Sequence, residues 1–211
     1  MCGILVDYHP GAQIDDALLR RGLEELRRRG PDGEGVWVAA DGTVGLGHVR
    51  LAVLDLAGSP QPVASEDGQV VAAVNGEFYD HEALRRDLAG RGHRFRTGGD
   101  SELAVHLYED HGTDFVAHLR GEFALVLWDG RRRQLVAARD RFGIKPLCYH
   151  LAGGRLRIAS QAKGLFALGV APAWDADTFA AVCAMQYLPP DRTLFAGVRQ
   201  LRPAHRLVAS A

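Results

Sequence analysis

The 211-residue sequence contains little cysteine and no long apolar run, and it carries almost no net charge. Its three cysteines are odd in number and far apart, which argues against a disulfide framework or a cysteine-based zinc cluster. Cys148 and Cys183 lie in apolar surroundings, so we expect both to be buried. No stretch has the length and apolarity of a bilayer span or a signal peptide. These absences predict a cytoplasmic protein whose thiols stay reduced.

A net charge of −1 gives no general attraction to nucleic acid or to a membrane surface, and we expect neither as a partner. Only Lys145 and Lys163 are lysines. The short arginine runs at 27–29 and 131–133 are interpreted as solvated helix and turn faces. With 47% hydrophobic residues, the chain can build one sizeable core.

Apolar periodicity predicts more strands than helices, and Asp-Gly or Gly-Gly pairs predict hairpins between many of them. The predicted strands are 3–6, 35–39, 44–49, 70–75, 123–128, 134–139, 147–150 and 156–159. The predicted helices are 15–29, 81–88, 101–111 and 175–185. Hairpin connections favour antiparallel sheets with helices packed outside, an α+β fold. Three prolines follow Gln186, so we expect a domain over 1–185 and an extended tail over 186–211.

Cys2 directly follows the initiator Met1, which is generally removed when the next side chain is small. The mature chain would then carry a thiol and a free α-amino group on one residue. Their usual pKa values, about 8.5 and about 7.7–8.0, suit a nucleophile and a base near neutral pH. The alternative is a small residue at the start of a strand.

Further polar segments stand at predicted strand ends and turns. Arg50 can hold a carboxylate through its guanidinium, or form a surface salt bridge. Asn75 and Gly76 form an oxyanion-hole pair or a simple turn. Asp100 binds an ammonium or caps the next helix. The charged segment 139–146 is interpreted as a structural ion-pair network.

Taken together, these groups comprise a thiol, an oxyanion hole, an arginine for a carboxylate and acids for an ammonium. That set matches a zwitterionic amino acid whose side-chain carbonyl is attacked.

Seven segments, in this order along the chain, carry a resemblance to a known family: 1–4, 29–32, 50–55, 74–79, 97–102, 139–147 and 159–163. The chain resembles the class II glutamine amidotransferases. Within them it is similar to the glutaminase domain of glutamine-hydrolysing asparagine synthetases. The resemblance covers nearly the whole chain and implies the N-terminal nucleophile hydrolase fold, a four-layer αββα sandwich of two largely antiparallel sheets.

The resemblance also implies roles for individual residues. Cys2 matches the nucleophile, with its own α-amino group as base. Asn75 and the Gly76 N–H match the oxyanion hole. The residues that match the glutamine-binding groups are Arg50 for the α-carboxylate, Glu77 and Asp100 for the α-ammonium, and Leu51, Ala52, Val53 and Leu54 for the pocket wall.

The implied reaction is hydrolysis of L-glutamine to L-glutamate and ammonia, with no metal or cofactor in this chain. ATP and magnesium are expected only in an ATP-dependent synthetase domain or subunit that receives the ammonia, most simply to make asparagine from aspartate. This chain shows no nucleotide motif, so we expect a truncated protein or a free-standing subunit. Self-association into a homo-oligomer is a further expectation. Gln161 replaces a usual glutamate near the expected boundary with that partner.

Two other interpretations remain open at this point. The chain can be a non-catalytic glutamine-binding or scaffolding module, although Cys2 and the oxyanion pair argue against it. It can also belong to another class II branch, such as the phosphosugar or phosphoribosyl amidotransferases. Segments 29–32 and 139–146 favour the asparagine synthetase branch.

Overall fold

The computed structural model describes residues 1–53 and 58–210. Its strands, in chain order, are β1 (Gly3–Tyr8), β2 (Gly33–Val38), β3 (Val44–Arg50), β4 (Val63–Ala64), β5 (Val70–Phe78), β6 (Gly121–Asp129), β7 (Gln134–Arg139), β8 (Cys148–Ala152), β9 (Arg155–Ala159), β10 (Val198–Gln200) and β11 (Arg206–Ser210). Its helices are α1 (Asp16–Leu26), α2 (His81–Gly90), α3 (Leu103–His111), α4 (Ala162–Ala167) and α5 (Ala176–Met185).

The strands form two sheets. Within each sheet, neighbouring strands pair antiparallel. Sheet A has the order β10-β8-β9-β1-β3-β2, and sheet B has the order β11-β7-β6-β5-β4. The central strand β1 is buried along its whole length, as expected for an apolar strand covered on both faces. The predicted hairpins β2–β3, β6–β7 and β8–β9 are all present.

Three apolar layers separate four layers of secondary structure. One lies between the two sheets and includes Ile4, Leu46 and Val126. A second packs α1 and α4 against the outer face of sheet A. A third packs α2 and α3 against the outer face of sheet B. The predicted αββα sandwich is therefore confirmed.

Helix α1 shows how local sequence supports this packing. The Asp15 carboxylate accepts hydrogen bonds from the Ala17 and Leu18 N–H groups, at 2.9 and 3.3 Å, and caps the helix. Leu19, Leu23 and Leu26 follow at helical spacing and are fully buried. Each such burial contributes roughly 1.5–3 kcal/mol. The prediction extended this helix to residue 29, but its last three residues form a 3₁₀ turn.

The segment after residue 185, which was predicted as an extended tail, includes two short strands. It supplies β10, which pairs with β8 at the edge of sheet A, and β11, which pairs with β7 at the edge of sheet B. Backbone groups on open sheet edges favour such pairing. The residues beyond 185 therefore contribute to both sheets of the sandwich.

Cys148 and Cys183 differ in burial. Cys148 is buried as predicted, and burial raises the pKa of its thiol to about 12. Cys183 was expected to be buried and is exposed, because α5 presents most of its apolar residues to the surface. Among the residues that the structure describes, no helix is long and apolar enough to cross a membrane.

Candidate active site

Strand alternation directs several of the predicted site residues into the layer between the sheets. Side chains at every second position of a strand share one face. On β1, Ile4 and Val6 belong to the inter-sheet core, and Cys2 continues that series. On β3, Leu46 belongs to the same core, and Arg50 lies four residues further along the same face. Gly3 pairs with Val49, so the next step of the register places Cys2 opposite Arg50.

Sheet B brings its own polar residues to the same layer. Val71 and Ala73 of β5 face the inter-sheet core, and Asn75 and Glu77 continue that alternation. The predicted strand ended at residue 75, with Asn75 and Gly76 at that end, but β5 extends to Phe78 and pairs with β6 throughout. The two residues therefore stand within a strand that faces the end of β1, rather than in a turn.

The Cys2 thiol is held against the start of the predicted pocket wall. Its Sγ accepts a hydrogen bond from the Leu51 N–H at 3.3 Å and lies 3.6 Å from the Leu51 carbonyl oxygen. Burial raises the pKa of Cys2, against the Leu51 hydrogen bond and the positive charges of the N-terminus and Arg50, while the Glu77 charge raises it further. A thiol with a raised pKa is mostly protonated near neutral pH, so attack requires a base.

The turn at 30–32 shapes the backbone beside the thiol. A Cβ on Gly30 would lie 2.4 Å from the Val49 carbonyl oxygen, so only glycine fits there. The Asp32 N–H donates to the Arg50 carbonyl at 2.9 Å, and the Asp32 carboxylate accepts from the Ala52 N–H at 2.9 Å. Sequence reasoning assigned no role to Asp32, which fixes residues 50–52 of the predicted wall.

The structure describes residues 51–53 of the predicted pocket wall. Arg50 is half-buried at the end of β3, and Val53 is exposed. Leu54 was also predicted to belong to the wall and lies outside the described residues.

Asn75 has a buried donor without a partner among the described residues, and Gly76 occupies a position that only glycine fits. Asn75 is 1% exposed, and its Nδ2 has no hydrogen-bond partner among the described residues. A buried donor left without a partner costs about 1–3 kcal/mol, which an anionic oxygen at this position would offset. Gly76 has a φ of +148°, and a Cβ there would lie 2.0 Å from the Glu122 carbonyl oxygen. Glycine is therefore required at this position.

Glu77 and Asp100 form an acidic pair at the end of β5. Asp100 is buried, and its Oδ2 accepts a hydrogen bond from the Phe78 N–H at 2.6 Å. Burial raises the pKa of Asp100, against that hydrogen bond. Burial and then the Asp100 charge raise the pKa of Glu77 to about 7, against the charge of Lys145. A cation bound between the two carboxyls would favour ionisation of both.

The loop before Asp100 is held by the side chains of Arg85 and Ser59. Arg85 donates to the Thr97 carbonyl at 2.8 Å and to the Gly99 carbonyl. The Gly99 N–H donates to the Ser59 hydroxyl at 2.9 Å. Helix α3 was predicted to start at residue 101 and starts at Leu103. The Asp100 side chain is directed to β5 instead of capping that helix.

Segment 139–146 is held together differently from the ion-pair network that we expected. The Arg139 guanidinium donates to the carbonyls of Gly143, Lys145 and Leu201, and the Asp140 carboxylate accepts backbone N–H bonds. Buried backbone groups need partners, and these two side chains supply them. The ion pair present here joins Lys145 to Glu122 at 3.2 Å. Sequence reasoning missed both residues as neighbours of Glu77.

Comparison with known proteins identifies the family. The family model described as glutamine amidotransferase domain matches residues 1–211. The chain belongs to the glutamine amidotransferase family. It is a class II domain related to the asparagine synthetases, as the sequence motifs predicted.

Curated relatives of this glutamine amidotransferase domain include proteins named as amidases and proteins named as asparagine synthetases. "Amidase chry2" of Gibberella zeae is 40% identical over 99% of this chain and 32% of the relative. An asparagine synthetase [glutamine-hydrolyzing] of Bacillus subtilis is 37% identical over 100% of this chain and 35% of the relative. One of Asparagus officinalis is 45% identical over 78% of this chain and 28% of the relative. The chain thus spans about a third of the length of these relatives.

Solved structures support the fold of the glutamine amidotransferase domain. The allosteric regulatory enzyme of purine biosynthesis aligns with a TM-score of 0.72 at 19% identity, over 98% of this chain and 46% of that one. The glutamine phosphoribosylpyrophosphate amidotransferase of B. subtilis aligns with a TM-score of 0.67 at 20% identity, over 80% of this chain and 44% of that one. At these identities the likeness shows the N-terminal nucleophile hydrolase fold alone.

Proposed function

We propose that this domain hydrolyses L-glutamine to L-glutamate and ammonia, with Cys2 as nucleophile once Met1 is removed. The observation that carries the proposal is the unpartnered, buried Nδ2 of Asn75 on the inter-sheet face to which the strand register also directs Cys2. A buried donor without an acceptor of its own, on the face to which the thiol is also directed, is what the oxyanion of acyl transfer requires.

The proposed chemistry proceeds in two halves. The α-amino group of Cys2 takes the thiol proton, and Sγ forms a bond to the side-chain amide carbon of glutamine. Negative charge on the amide oxygen is stabilised by Asn75 Nδ2 and the Gly76 N–H. The C–N bond then breaks, and the leaving nitrogen takes the proton from the α-ammonium and departs as ammonia. Water attacks the γ-glutamyl thioester, releasing glutamate and regenerating the thiol.

Charged groups around the thiol would orient the substrate. Arg50 offers a planar, bidentate partner to the α-carboxylate. Glu77 and Asp100 offer paired carboxylates to the α-ammonium. The electrostatic coupling of Cys2 to both Arg50 and Glu77, and of Glu77 to Asp100, supports a single site containing all four. The backbone of residues 51–53, with Leu54, would form the wall beside the side-chain amide.

The ammonia would pass to an ATP-dependent synthetase domain or subunit, and ATP and magnesium would bind there. Relatives named asparagine synthetase support aspartate as the acceptor, and relatives named amidase leave room for another acyl group. We propose no metal or cofactor for the hydrolysis itself, and a cytoplasmic location.

The test is a glutaminase assay on the purified chain with an N-terminal Cys2, measuring ammonia and glutamate separately. Equal amounts of both, with none from the Cys2→Ala chain, are expected. A correctly processed and folded chain that binds glutamine but releases neither product would overturn the proposal and favour the scaffolding interpretation.

Replacement of Arg50 by alanine is expected to raise the KM for glutamine by about 10- to 100-fold with little change in kcat. Charge-assisted hydrogen bonds to a carboxylate are worth about 1.5–3 kcal/mol and are present in both ground and transition states. Arg50→Lys keeps the charge, loses the bidentate geometry and serves as the matched control. Its KM should lie between those of the unsubstituted chain and of Arg50→Ala. An unchanged KM in Arg50→Ala would remove the proposed role.

Glutamine binding is expected to strengthen with rising pH until about pH 7 and then level off. The pKa of Glu77 is raised to about 7, so below that value its carboxyl is protonated and cannot pair with the ammonium. Because one proton must leave Glu77 before glutamine binds, the dissociation constant rises by about tenfold for each pH unit below that pKa. Calorimetry on the Cys2→Ala chain isolates binding from catalysis, and adding Glu77→Gln should flatten the profile. A profile that keeps its slope in the Glu77→Gln chain would assign the titration to another group.

A further inference from the structure

Two histidines and two glutamates meet at a place that the proposed hydrolysis does not use. Glu66 lies between β4 and β5, His93 follows α2, and His106 and Glu109 lie on α3. One ligand atom from each residue lies within 4.8 Å of the other three. The cluster therefore joins three segments of the chain that are distant in sequence.

The spacing of these atoms fits a small divalent ion at their centre. His106 Nδ1 lies 3.2 Å from Glu109 Oε2 and 3.7 Å from Glu66 Oε2, and His93 Nδ1 lies 3.6 Å from Glu109 Oε2. A tetrahedral zinc ion with bonds of about 2.0–2.2 Å holds its ligand atoms about 3.3–3.6 Å apart. These three separations lie close to that range, and the remaining ligand pairs lie within 4.8 Å of each other.

The far side of each imidazole faces a second carboxylate. His93 Nε2 lies 3.0 Å from Asp110 Oδ1, and His106 Nε2 lies 3.8 Å from Glu102 Oε1. The Asp110 carboxylate, at hydrogen-bond distance from His93 Nε2, favours the proton on that nitrogen and leaves the His93 Nδ1 lone pair directed into the cluster. His106 Nε2 makes no hydrogen bond among the described residues, and His106 Nδ1 is the nitrogen that faces Glu109 in the cluster. Carboxylate–histidine–metal triads orient metal-binding histidines in the same way.

The four side chains are also positioned by their surroundings. The Arg94 N–H donates to Glu66 Oε1 at 2.8 Å, which leaves Oε2 facing His106. The Phe95 ring packs edge-on against His106, whose side chain is fully buried. The Glu66 side chain is 37% exposed, so an ion has a path from solvent.

We infer that Nδ1 of His93 and His106 and one oxygen each of Glu66 and Glu109 form a binding site for a divalent first-row transition ion of the zinc type. Two imidazole nitrogens favour such an ion over magnesium or calcium. Two carboxylates balance its double positive charge. The ion would tie the β4–β5 turn and the loop after α2 to helix α3. This inference goes beyond the proposed glutaminase and does not depend on it.

A metal titration tests the inference on the full chain, free of any affinity tag. Cys2→Ala and Cys183→Ser are introduced first, so that exposed or reactive thiols do not bind the probe. Zinc chloride is titrated calorimetrically into metal-stripped protein at neutral pH. One zinc ion per chain is expected, and cobalt in its place should show the intense visible absorption of a tetrahedral site.

The variants are chosen so that loss of binding is not loss of folding. His106 is fully buried and is left intact, whereas His93 and Glu66 are partly exposed. His93→Gln and Glu66→Gln are each expected to weaken zinc binding by at least about tenfold. His118→Gln is the matched control, because His118 stacks on His111 with ring centroids 3.8 Å apart and forms a second histidine pair. It should leave zinc binding unchanged.

Two results would overturn the inference. The first is no stoichiometric zinc binding by folded protein, which would make the cluster a set of histidine–carboxylate ion pairs. The second is binding that survives in both His93→Gln and Glu66→Gln, which would place the ion elsewhere. Circular dichroism checks the folding of every variant. Zinc should also raise the midpoint of thermal unfolding of the parent chain but not of His93→Gln.

Discussion

A chain that retains residues before Cys2 is expected to hydrolyse glutamine about 10²- to 10⁴-fold more slowly than one that begins at Cys2. An amide bond at the Cys2 nitrogen removes the base, and general acid–base catalysis typically contributes that factor. Burial raises the pKa of the thiol, so few thiolates form without a base. The rate of ammonia release by the purified chain that retains these residues, compared with the rate for the chain that begins at Cys2, measures the effect.

The control for this prediction uses a single preparation. A protease recognition sequence is placed so that cleavage leaves Cys2 at the N-terminus. Activity should appear on cleavage and should not appear in the Cys2→Ala version of the same fusion. Full activity of the uncleaved fusion, verified by mass spectrometry, would contradict the N-terminal mechanism.

Asn75→Ala is expected to lower kcat by about 10²- to 10³-fold with a much smaller change in glutamine affinity. Loss of one oxyanion donor in other acyl-transfer enzymes costs about that much, roughly 2.7–4 kcal/mol. The charge on the amide oxygen develops only during attack, so the Nδ2 group stabilises the transition state more than bound substrate.

The size of the Asn75 effect must be separated from damage to the core, because the side chain is 1% exposed. Thermal unfolding and glutamine binding to the doubly substituted Cys2→Ala, Asn75→Ala chain report on the fold and the pocket. Asn75→Asp keeps the volume and removes the amide donor, so it should lose kcat as well. Near-normal kcat in Asn75→Ala would reject the oxyanion assignment.

Much of the fold could be predicted because local signals and final structure agree. Asp41-Gly42 predicted the β2–β3 hairpin, and that hairpin brings Arg50 to the end of a strand paired with β1. The predicted helix 15–29 starts within one residue of α1, which is capped by Asp15. Such features depend on neighbours in sequence, which a single sequence displays.

Other features depend on contacts that sequence does not display. Asn75-Gly76 has the composition of a turn, yet Gly76 stands inside β5 because β6 approaches too closely for a side chain. The short strands β10 and β11 form only because sheet edges are available to them. The cluster of Glu66, His93, His106 and Glu109 was not predicted from sequence, since its members come from three separate segments of the chain.

The candidate site also contains residues that the sequence predicted and residues that it did not. Its proposed reactive residues were predicted from motifs, because the thiol, the amide, the arginine and the acids each lie in a short characteristic segment. The groups that tune them were missed. Lys145 opposes the raised pKa of Glu77, and Asp32 fixes the backbone at Ala52. Both act on residues far away in sequence.

The central claim is that an N-terminal Cys2 attacks the side-chain carbonyl of glutamine, and adduct mapping tests it most directly. The purified chain is treated with 6-diazo-5-oxo-L-norleucine, a glutamine-like electrophile, with and without excess glutamine, and digested for mass spectrometry. The account predicts one adduct, on Cys2 of a chain that lacks Met1, with protection by glutamine and no reaction at Cys183. A folded, Met1-free chain with no adduct on Cys2, or labelling that glutamine does not suppress, would contradict it.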